Sequence, residues 1–360
     1  MKNNVTTWLA IGFAATFTLF GCKKDDPQPS DNASTPGAYQ SGVFITNEGP
    51  FGSGTGTVSF LNRTTGTISN DIFQNANGIP LGNIVQSMSI HNGKAYVVVN
   101  NSGKVEVANA DDFKSTGTIT GLNMPRYFLG IDNTKGFISE WGPSGSEGYI
   151  KVVDLTTNAI TSTITTGMGA DQMLKINSSV YVACKGGFGT DSTITVINST
   201  SNSIAANIKV GAAPNSMQID ANGKIWVLCG GQWNSSFTAL DKTGKLMRIN
   251  PLTNMVELTI DFSSTSSTPT NLTINKAKNQ LYFSYQGAVM KQDISSVTLN
   301  ATNIINRNFY ALGVDPNSDY IYAGDAGNFS SNGYLIRYNT NYTKIDSFQV
   351  GIIPGGFCFR

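Results

Sequence analysis

Histidine and charge are the scarcest features of this chain. The 360 residues include a single histidine, His91, and charged residues make up 13% of the total, about half of the ~25% that is usual in soluble domains. Catalysis by Ser-His-Asp or Cys-His groups and metal binding by several histidines are therefore nearly excluded. The formal net charge is only +1, so bulk electrostatics does not predict binding to nucleic acid or to anionic lipid.

The chain also has no apolar run long enough for a membrane-spanning helix. The longest, residues 5–20, has 16 residues, whereas a span needs about 20. With Lys2 before it, this run matches the core of a signal peptide. The following Leu19-Phe20-Gly21-Cys22 resembles the lipobox of bacterial lipoproteins. We therefore predict a lipoprotein signal peptide over 1–21, lipidation of Cys22, and a flexible tether over 22–40 that is rich in Pro, Ser, Asn and Asp.

The rest of the chain is a repeat of 40 to 55 residues, a period typical of propellers and solenoids. Each unit begins with a short strand, a, whose inner position is apolar: Met88, Phe128, Met173, Met217, Leu272, Leu312 and Phe357. A turn follows, and then a strand, b, with one aromatic residue: Phe44, Tyr96, Phe137, Tyr181, Trp226, Tyr282 and Tyr322. Strand c ends in Asn or Asp in all seven units, because a short polar side chain there bonds the backbone two residues on and opens the turn to strand d. No helical period is evident between the strands.

The two ends of the chain favour a closed ring over an open solenoid. The first unit begins at strand b, residues 43–47, and lacks strand a. Residues 354–359 form a strand a with nothing after it. The C-terminal strand therefore completes the first unit and removes an open sheet edge. We predict an all-β fold: a seven-bladed β-propeller of four-stranded blades over residues 41–360.

Three cysteines lie within the predicted propeller: Cys184, Cys229 and Cys358. Cys184 and Cys229 occupy the same position in neighbouring blades, where the spacing is too wide for a disulfide. We expect three buried thiols, and a single pair among them stays open as the alternative. His91 falls in a turn between strands a and b, where we expect it to be exposed and inert.

Several segments carry a family resemblance. The P-x-x-M motif of strand a, the aromatic of strand b and residues 200–211 (TSNSIAANIKVG) resemble YncE-type propellers. Residues 44–49 (FITNEG), 56–62 (GTVSFLN), 86–88 and 98–102 are similar to surface lipoproteins of Bacteroidetes that include BtuG-type cobalamin-binding proteins. The resemblance implies a corrinoid ligand, a TonB-dependent outer-membrane transporter as partner, and a lipid-anchored position on the outer surface of the outer membrane. The cluster Lys23-Lys24-Asp25-Asp26 resembles the surface-export signal of such lipoproteins.

The predicted binding residues lie on one face of the ring. In a four-stranded meander, the b–c loops and the segments from strand d to the next strand a share one face, which we call the loop-rich face; the short a–b and c–d turns form the turn face. Aromatics and polar groups on loops around a concave mouth are typical of ligand sites. The predicted ligand-binding residues are Glu48, Phe51, Asn100, Arg126, Tyr127, Glu140, Trp141, Asp171, Gln172, Lys185, Phe188, Asn215, Trp233, Phe237, Asn271, Tyr285, Tyr310, Asp325 and Phe329.

We expect a binding protein that is not an enzyme and holds no metal or cofactor. Two other functions stay open. One is an adhesion scaffold that binds protein or glycan through the same face. The other is a propeller lactonase or lyase, which would need a metal or paired carboxylates gathered from Glu48, Glu140, Asp171, Asp191 and Asp325. The loop aromatics could also fold inward and pack against their own loops.

Overall fold

The computed structural model, which describes residues 37–360, has seven four-stranded antiparallel sheets arranged as the blades of a β-propeller. Blade 1 contains β1 (Gly42–Asn47), β2 (Thr57–Asn62), β3 (Ile68–Ser69) and the C-terminal strand β30 (Pro354–Phe359). Strand β30 pairs with β1, with Val43 opposite Phe359 and Ile45 opposite Phe357. The predicted fold and its closure by the chain end are confirmed.

The other six blades follow one another along the chain, each in the order a, b, c, d. Blade 2 contains β4 (Val85–His91), β5 (Lys94–Val99), β6 (Lys104–Asn109) and β7 (Ser115–Ile119). Blade 3 contains β8 (Pro125–Gly130), β9 (Lys135–Glu140), β10 (Tyr149–Asp154) and β11 (Ala159–Thr165). Blade 4 contains β12 (Ala170–Ile176), β13 (Ser179–Cys184), β14 (Thr193–Asn198) and β15 (Ser203–Lys209).

Blade 5 contains β16 (Pro214–Ile219), β17 (Ile225–Cys229), β20 (Lys245–Asn250) and β21 (Met255–Asp261), with a small extra hairpin of β18 (Gln232–Trp233) and β19 (Leu240–Lys242) in its b–c loop. Blade 6 contains β22 (Thr270–Ile274), β23 (Gln280–Tyr285), β24 (Ala288–Asp293) and β25 (Thr302–Ile305). Blade 7 contains β26 (Ala311–Val314), β27 (Ile321–Asp325), β28 (Asn332–Tyr338) and β29 (Lys344–Ile352).

The hydrophobic core is divided among the boundaries between blades. Seven clusters of buried side chains each join one blade to the next around the ring. The seven strand b aromatics are at most 7% exposed. At the boundary of blades 2 and 3, for example, Tyr96 stacks on Phe128 with ring centroids 3.8 Å apart. Burial of each such ring stabilises the fold by roughly 1.5–3 kcal/mol, so the apolar columns of the repeat hold neighbouring blades together.

The Asn or Asp at the end of each strand c acts as predicted. In every blade its side-chain oxygen accepts a hydrogen bond from the backbone N–H two residues on, as Asn62 does from Thr64 at 2.9 Å and Asp293 from Ser295 at 2.8 Å. The other five blades repeat this bond. These side chains therefore shape the turn face.

One helix lies between the strands, although the sequence shows no helical period there. Helix α1 (Ile72–Asn77) connects blade 1 to blade 2. Ile72 and Phe73 are buried in the cluster between these blades, and Gly78 ends the helix in a left-handed conformation, with φ of 71°. Six residues with three apolar ones, Ile72, Phe73 and Ala76, are too short a segment to give a helical period.

The segment just before β1 also packs against the propeller, although the sequence predicts a tether up to residue 40. Tyr39 is 8% exposed and its ring contacts Phe44, Phe60 and Phe113 edge-on. Arg360 donates a hydrogen bond of 2.8 Å to the Tyr39 carbonyl oxygen and forms an ion pair with Asp111. The segment before β1 and the C-terminal residue therefore fasten blade 1 to blade 2.

The predicted signal peptide over 1–21, the lipidation of Cys22 and residues 22–36 of the tether lie outside the described residues. Within 37–360, no helix is long and apolar enough to cross a membrane. Cys184, Cys229 and Cys358 are free thiols, of which Cys184 and Cys229 are buried and Cys358 is half-buried. His91 ends strand β4 and is half-buried rather than exposed, because its Nε2 makes a 2.7 Å hydrogen bond to the Asp132 carbonyl oxygen of blade 3.

Candidate functional site

A cavity of about 1280 Å³ opens at the loop-rich face and continues into the central channel. Residues from the b–c loops of all seven blades line it, and inner-strand side chains such as Met88, Leu272, Leu312 and Phe357 line its deeper part. It reaches Lys276 of the turn between β22 and β23. All the predicted binding residues except Glu140 and Phe237 line this cavity. The structure thus brings them to one place, and their role in binding stays a prediction.

A ring of polar side chains surrounds the mouth of the channel, and we call it the collar. It consists of Glu48, Gln86, Arg126, Asp171, Gln172, Asn215, Asn271 and Tyr310. Nearly every boundary between blades is bridged by one of these side chains. The exception is the boundary of blades 1 and 2, where the backbone N–H of Val85 donates to the carbonyl oxygen of Glu48 at 3.2 Å. The collar is therefore fixed by the scaffold.

Two side-chain amides of the collar donate hydrogen bonds to the backbone of the next blade. Asn215 Nδ2 donates to the Pro269 carbonyl oxygen at 3.0 Å, and Asn271 Nδ2 donates to the Tyr310 carbonyl oxygen at 3.2 Å. Asn100, just outside the collar, makes the same kind of bond to the Pro125 carbonyl oxygen at 2.9 Å. The Nδ2 groups of these three predicted ligand-binding residues thus already form hydrogen bonds within the protein. Their first role is to hold neighbouring inner strands together.

Glu48 and Tyr310 close the collar between blades 7 and 1. The Tyr310 hydroxyl lies 3.0 and 3.1 Å from the two carboxylate oxygens of Glu48, to which it donates. Burial raises the pKa of Glu48, and the Tyr310 hydrogen bond and the charges of Arg126 and Lys185 oppose that rise. Burial and the charge of Glu48 raise the pKa of Tyr310. The pair is thus a hydrogen-bonded carboxyl group held in a partly desolvated position.

Arg126 forms the opposite, cationic part of the collar. Its Nε lies 3.5 Å from Oδ2 of the buried Asp171, and its Nη1 donates to Oε1 of Gln86. Its guanidinium carbon lies 4.1 Å from the centroid of the Trp141 ring, a cation–π arrangement. Three contacts from three blades therefore set the orientation of this side chain. Tyr127 next to it has a raised pKa because of burial and the neighbouring Asp171 charge, so its hydroxyl stays protonated.

Two aromatic pairs stand on opposite sides of the mouth. Trp141 and Phe188, from blades 3 and 4, contact edge-on with centroids 5.8 Å apart. Tyr310 and Phe329, from blade 7, do so at 5.6 Å. In a seven-bladed ring, blade 7 lies opposite the boundary of blades 3 and 4. The gap between the pairs therefore has aromatic walls on both sides.

The alternative that loop aromatics pack against their own loops holds for some of them only. Tyr285 is 5% exposed, packs on Phe262 and accepts a hydrogen bond from the Ser264 backbone N–H at 3.0 Å. Phe51, Phe188, Phe237 and Phe329 are 86, 72, 78 and 53% exposed. Phe237, in the hairpin loop between β18 and β19, does not line the cavity. Four phenylalanines are thus displayed to solvent at the loop-rich face.

Most of the candidate carboxylates are already used by neighbouring groups. Glu140 is fully buried at the end of β9, where it pairs with Lys151 at 3.1 Å and accepts a bond from the Asn123 backbone N–H at 2.9 Å. Asp325 pairs with Arg307. Asp191 accepts a hydrogen bond from the Met168 backbone N–H at 2.7 Å. Among residues 37–360, no group of three or more His, Cys, Asp or Glu side chains could hold a metal ion.

The cavity also includes residues that the sequence did not indicate. Ser266, Ser267 and Thr268, between strands β21 and β22, line it, as does Lys276 at its deep end. The first three lie in a d–a segment, so the rule that d–a segments face the mouth would have found them. Lys276 lies in an ordinary turn, and no local signal marks it.

Comparisons with known proteins agree with this fold. Residues 41–352 match the family model described as "Domain of unknown function (DUF5074)". No curated protein sequence matches the chain. Among solved structures, the chain is similar to a quinoprotein alcohol dehydrogenase-like protein from Bacteroides thetaiotaomicron, with 14% identity and a TM-score of 0.66 over 89% of this chain and 78% of that one. It is also similar to hydrazine synthase from Kuenenia stuttgartiensis, with 13% identity and a TM-score of 0.62 over 78% of this chain and 89% of that one.

At such low identity, the two structural similarities bear on the fold alone. Both agree with the propeller described above. The family model is more specific, because it matches the chain from the start of blade 1 to the end of strand β29. The chain therefore belongs to the DUF5074 family, a domain of unknown function.

Proposed function

We propose that this protein is a binding protein, not an enzyme, and that it holds a large amphipathic ligand in the mouth of the propeller. The observation that carries the proposal is the cavity of about 1280 Å³, which exceeds the roughly 300–1,000 Å³ of ordinary small-molecule sites. Its walls combine aromatic rings with fixed charged and amide groups. Such a lining suits a ligand that has apolar faces and many polar substituents.

A corrinoid such as cobalamin is our proposed ligand within this class. Its ring system would lie between the aromatic pair Trp141 and Phe188 and the pair Tyr310 and Phe329, and its amides would meet the polar collar. The choice of a corrinoid among large ligands rests on the sequence resemblance to BtuG-type lipoproteins. With the predicted anchor at Cys22, we further propose capture at the outer surface and transfer to a TonB-dependent outer-membrane transporter.

Calorimetric titration of residues 23–360 with cyanocobalamin tests the corrinoid proposal. We expect saturable binding at micromolar concentrations. Phe188→Ala should weaken it by about tenfold, because a displayed ring loses roughly 1.5 kcal/mol or more of apolar burial. Leu252→Ala is the matched control, since Leu252 is 91% exposed in a turn on the other face. Absence of binding heat at micromolar concentrations would contradict the corrinoid proposal.

The four displayed phenylalanines favour a second candidate, an adhesion scaffold for protein or glycan. Exposed aromatic side chains are enriched at interaction surfaces, and Phe237 lies outside the cavity. A glycan array probed with the same protein tests one form of it. Binding that Phe237→Ala abolishes and cyanocobalamin does not displace would support this candidate over the first.

A further inference from the structure

We propose that Arg126 and Lys185 form an oxyanion subsite within the cavity, which binds a carboxylate or phosphate group of the ligand. The inference rests on the proposed function, because it specifies one chemical group of the ligand held in the same cavity. It does not depend on the ligand being a corrinoid.

Arg126 is prepared for such a role by its surroundings. The guanidinium is stacked on Trp141, its Nη1 donates to Gln86, and its Nε forms an ion pair with Asp171 at 3.5 Å without a hydrogen bond. No group among the described residues hydrogen-bonds to its Nη2. An arginine whose orientation is already fixed loses little freedom when it binds an oxyanion, and its planar fork matches carboxylate and phosphate oxygens. One edge of Arg126 is therefore available to a ligand.

Lys185 supplies a second cation, which forms no ion pair or hydrogen bond through its ammonium group within residues 37–360. It is half-buried at the end of the b strand of blade 4, and it lines the cavity. Other lysines of the propeller, such as Lys104 and Lys151, pair with carboxylates at 3.0 and 3.1 Å. No side chain or carbonyl oxygen in residues 37–360 pairs with the Lys185 ammonium group in this way. An opposite charge supplied by a ligand would satisfy it.

The charged groups at this side of the mouth are two cations and two carboxylates. Arg126 and Lys185 are the cations, and Asp171 is the carboxylate paired with Arg126. The other nearby carboxylate, Glu48, is hydrogen-bonded to Tyr310 on the blade 7 side. Asp325 is paired with Arg307. Glu48 feels the charges of both Arg126 and Lys185, but among the described residues Lys185 forms no ion pair of its own.

The test uses residues 23–360 and two simple anions, potassium phosphate and potassium acetate, titrated separately at constant ionic strength. Because Trp141 stacks on Arg126, its fluorescence reports binding, and Trp141→Phe identifies its share of the signal. We expect a saturable change at millimolar anion. Arg126→Gln and Lys185→Gln should each weaken it by about tenfold to a hundredfold. The anion that saturates first distinguishes phosphate from carboxylate recognition.

Lys209→Gln is the matched control, because it removes the same charge from an exposed position on the outer strand of the same blade. Arg126→Gln removes the ion-pair partner of Asp171 and could disturb folding, whereas the Lys185 side chain forms no ion pair or hydrogen bond within the described residues. An unchanged response in Lys185→Gln, or no saturable response to either anion, would overturn the subsite. Anion binding without cyanocobalamin binding would refute only the corrinoid proposal, and cyanocobalamin binding without an anion response would refute only the subsite.

Discussion

The hydrogen bonds between Tyr310 and Glu48 should stabilise the closed ring measurably. They join blade 7 to blade 1, the boundary that the C-terminal strand completes, and both oxygens lie within 3.1 Å of the hydroxyl. Hydrogen bonds to charged groups contribute about 1.5–3 kcal/mol when buried. Tyr310 is 41% exposed, so solvent competes and reduces the expected coupling to about 1 kcal/mol. Loss of this coupling should not alter the fold.

A double-mutant cycle measures the coupling. Urea unfolding at pH 7 of the wild type, Tyr310→Phe, Glu48→Gln and the double variant gives four free energies of unfolding, and their combination isolates the pair. Glutamine keeps an oxygen that can accept a hydrogen bond from the Tyr310 hydroxyl. The coupling energy therefore measures how much stronger the hydrogen bond to the carboxylate is than the hydrogen bond to the amide. A coupling energy within about 0.3–0.5 kcal/mol of zero, the usual error of additivity, would refute the reasoning.

The cycle should also depend on pH. Burial raises the pKa of Glu48 in the folded protein, so the folded state binds a proton more tightly than the unfolded chain does. The contribution of Glu48 to stability is therefore fully present below its unfolded pKa of about 4.3 and falls as the pH rises through the folded value. The hydrogen bond with Tyr310 changes with pH in the opposite direction: it becomes stronger as the pH rises, because an ionised carboxylate oxygen accepts a hydrogen bond more strongly than a neutral carboxyl does. Coupling at pH 4 should be smaller than at pH 7, and an equal or larger value would contradict this assignment.

Two further predictions concern the scaffold around the mouth. Gly187→Ala should lower the free energy of unfolding by about 1–3 kcal/mol more than Gly223→Ala does. Both glycines have positive φ, but a methyl group at Gly187 would lie 2.0 Å from the Gly145 carbonyl oxygen, whereas nothing lies within 4 Å of one at Gly223. Equal losses of stability would contradict the contact between the two loops. Burial raises the pKa of Cys229 to about 12 and that of Cys358 to about 11, so few thiolates exist at pH 8. An aromatic disulfide reagent should react slowly with the native protein and rapidly in urea, and fast native reaction would contradict the burial.

The fold could be predicted because each blade repeats the same physical requirements. The apolar column of strand a, the aromatic of strand b and the Asn or Asp after strand c recur in every unit, and each has one structural cause. The exceptions are elements too short to produce a pattern. Helix α1 has six residues, and the hairpin β18–β19 has strands of two and three.

The position of the candidate site could also be predicted from the sequence, whereas the contacts that each residue makes there could not. The repeat shows which loops share a face, so most predicted residues line one cavity. The repeat does not show which hydrogen-bond or ion-pair partners surround each of these residues. Asn215 and Asn271 donate to a carbonyl oxygen of the next blade, and Glu140 pairs with Lys151 on the neighbouring strand. The carbonyl partners of Asn215 and Asn271 come from another blade and are distant in the sequence, and Lys151 comes from the same blade but is not marked as a partner by the repeat.

A crystal structure of residues 23–360 grown with cyanocobalamin would test most directly whether the function lies in the mouth of the propeller. We predict electron density for the ligand between the pair Trp141 and Phe188 and the pair Tyr310 and Phe329, in contact with the collar. Ligand density confined to the turn face or to the outer edge of the blades, or a cavity that holds only solvent at saturating ligand, would contradict that prediction.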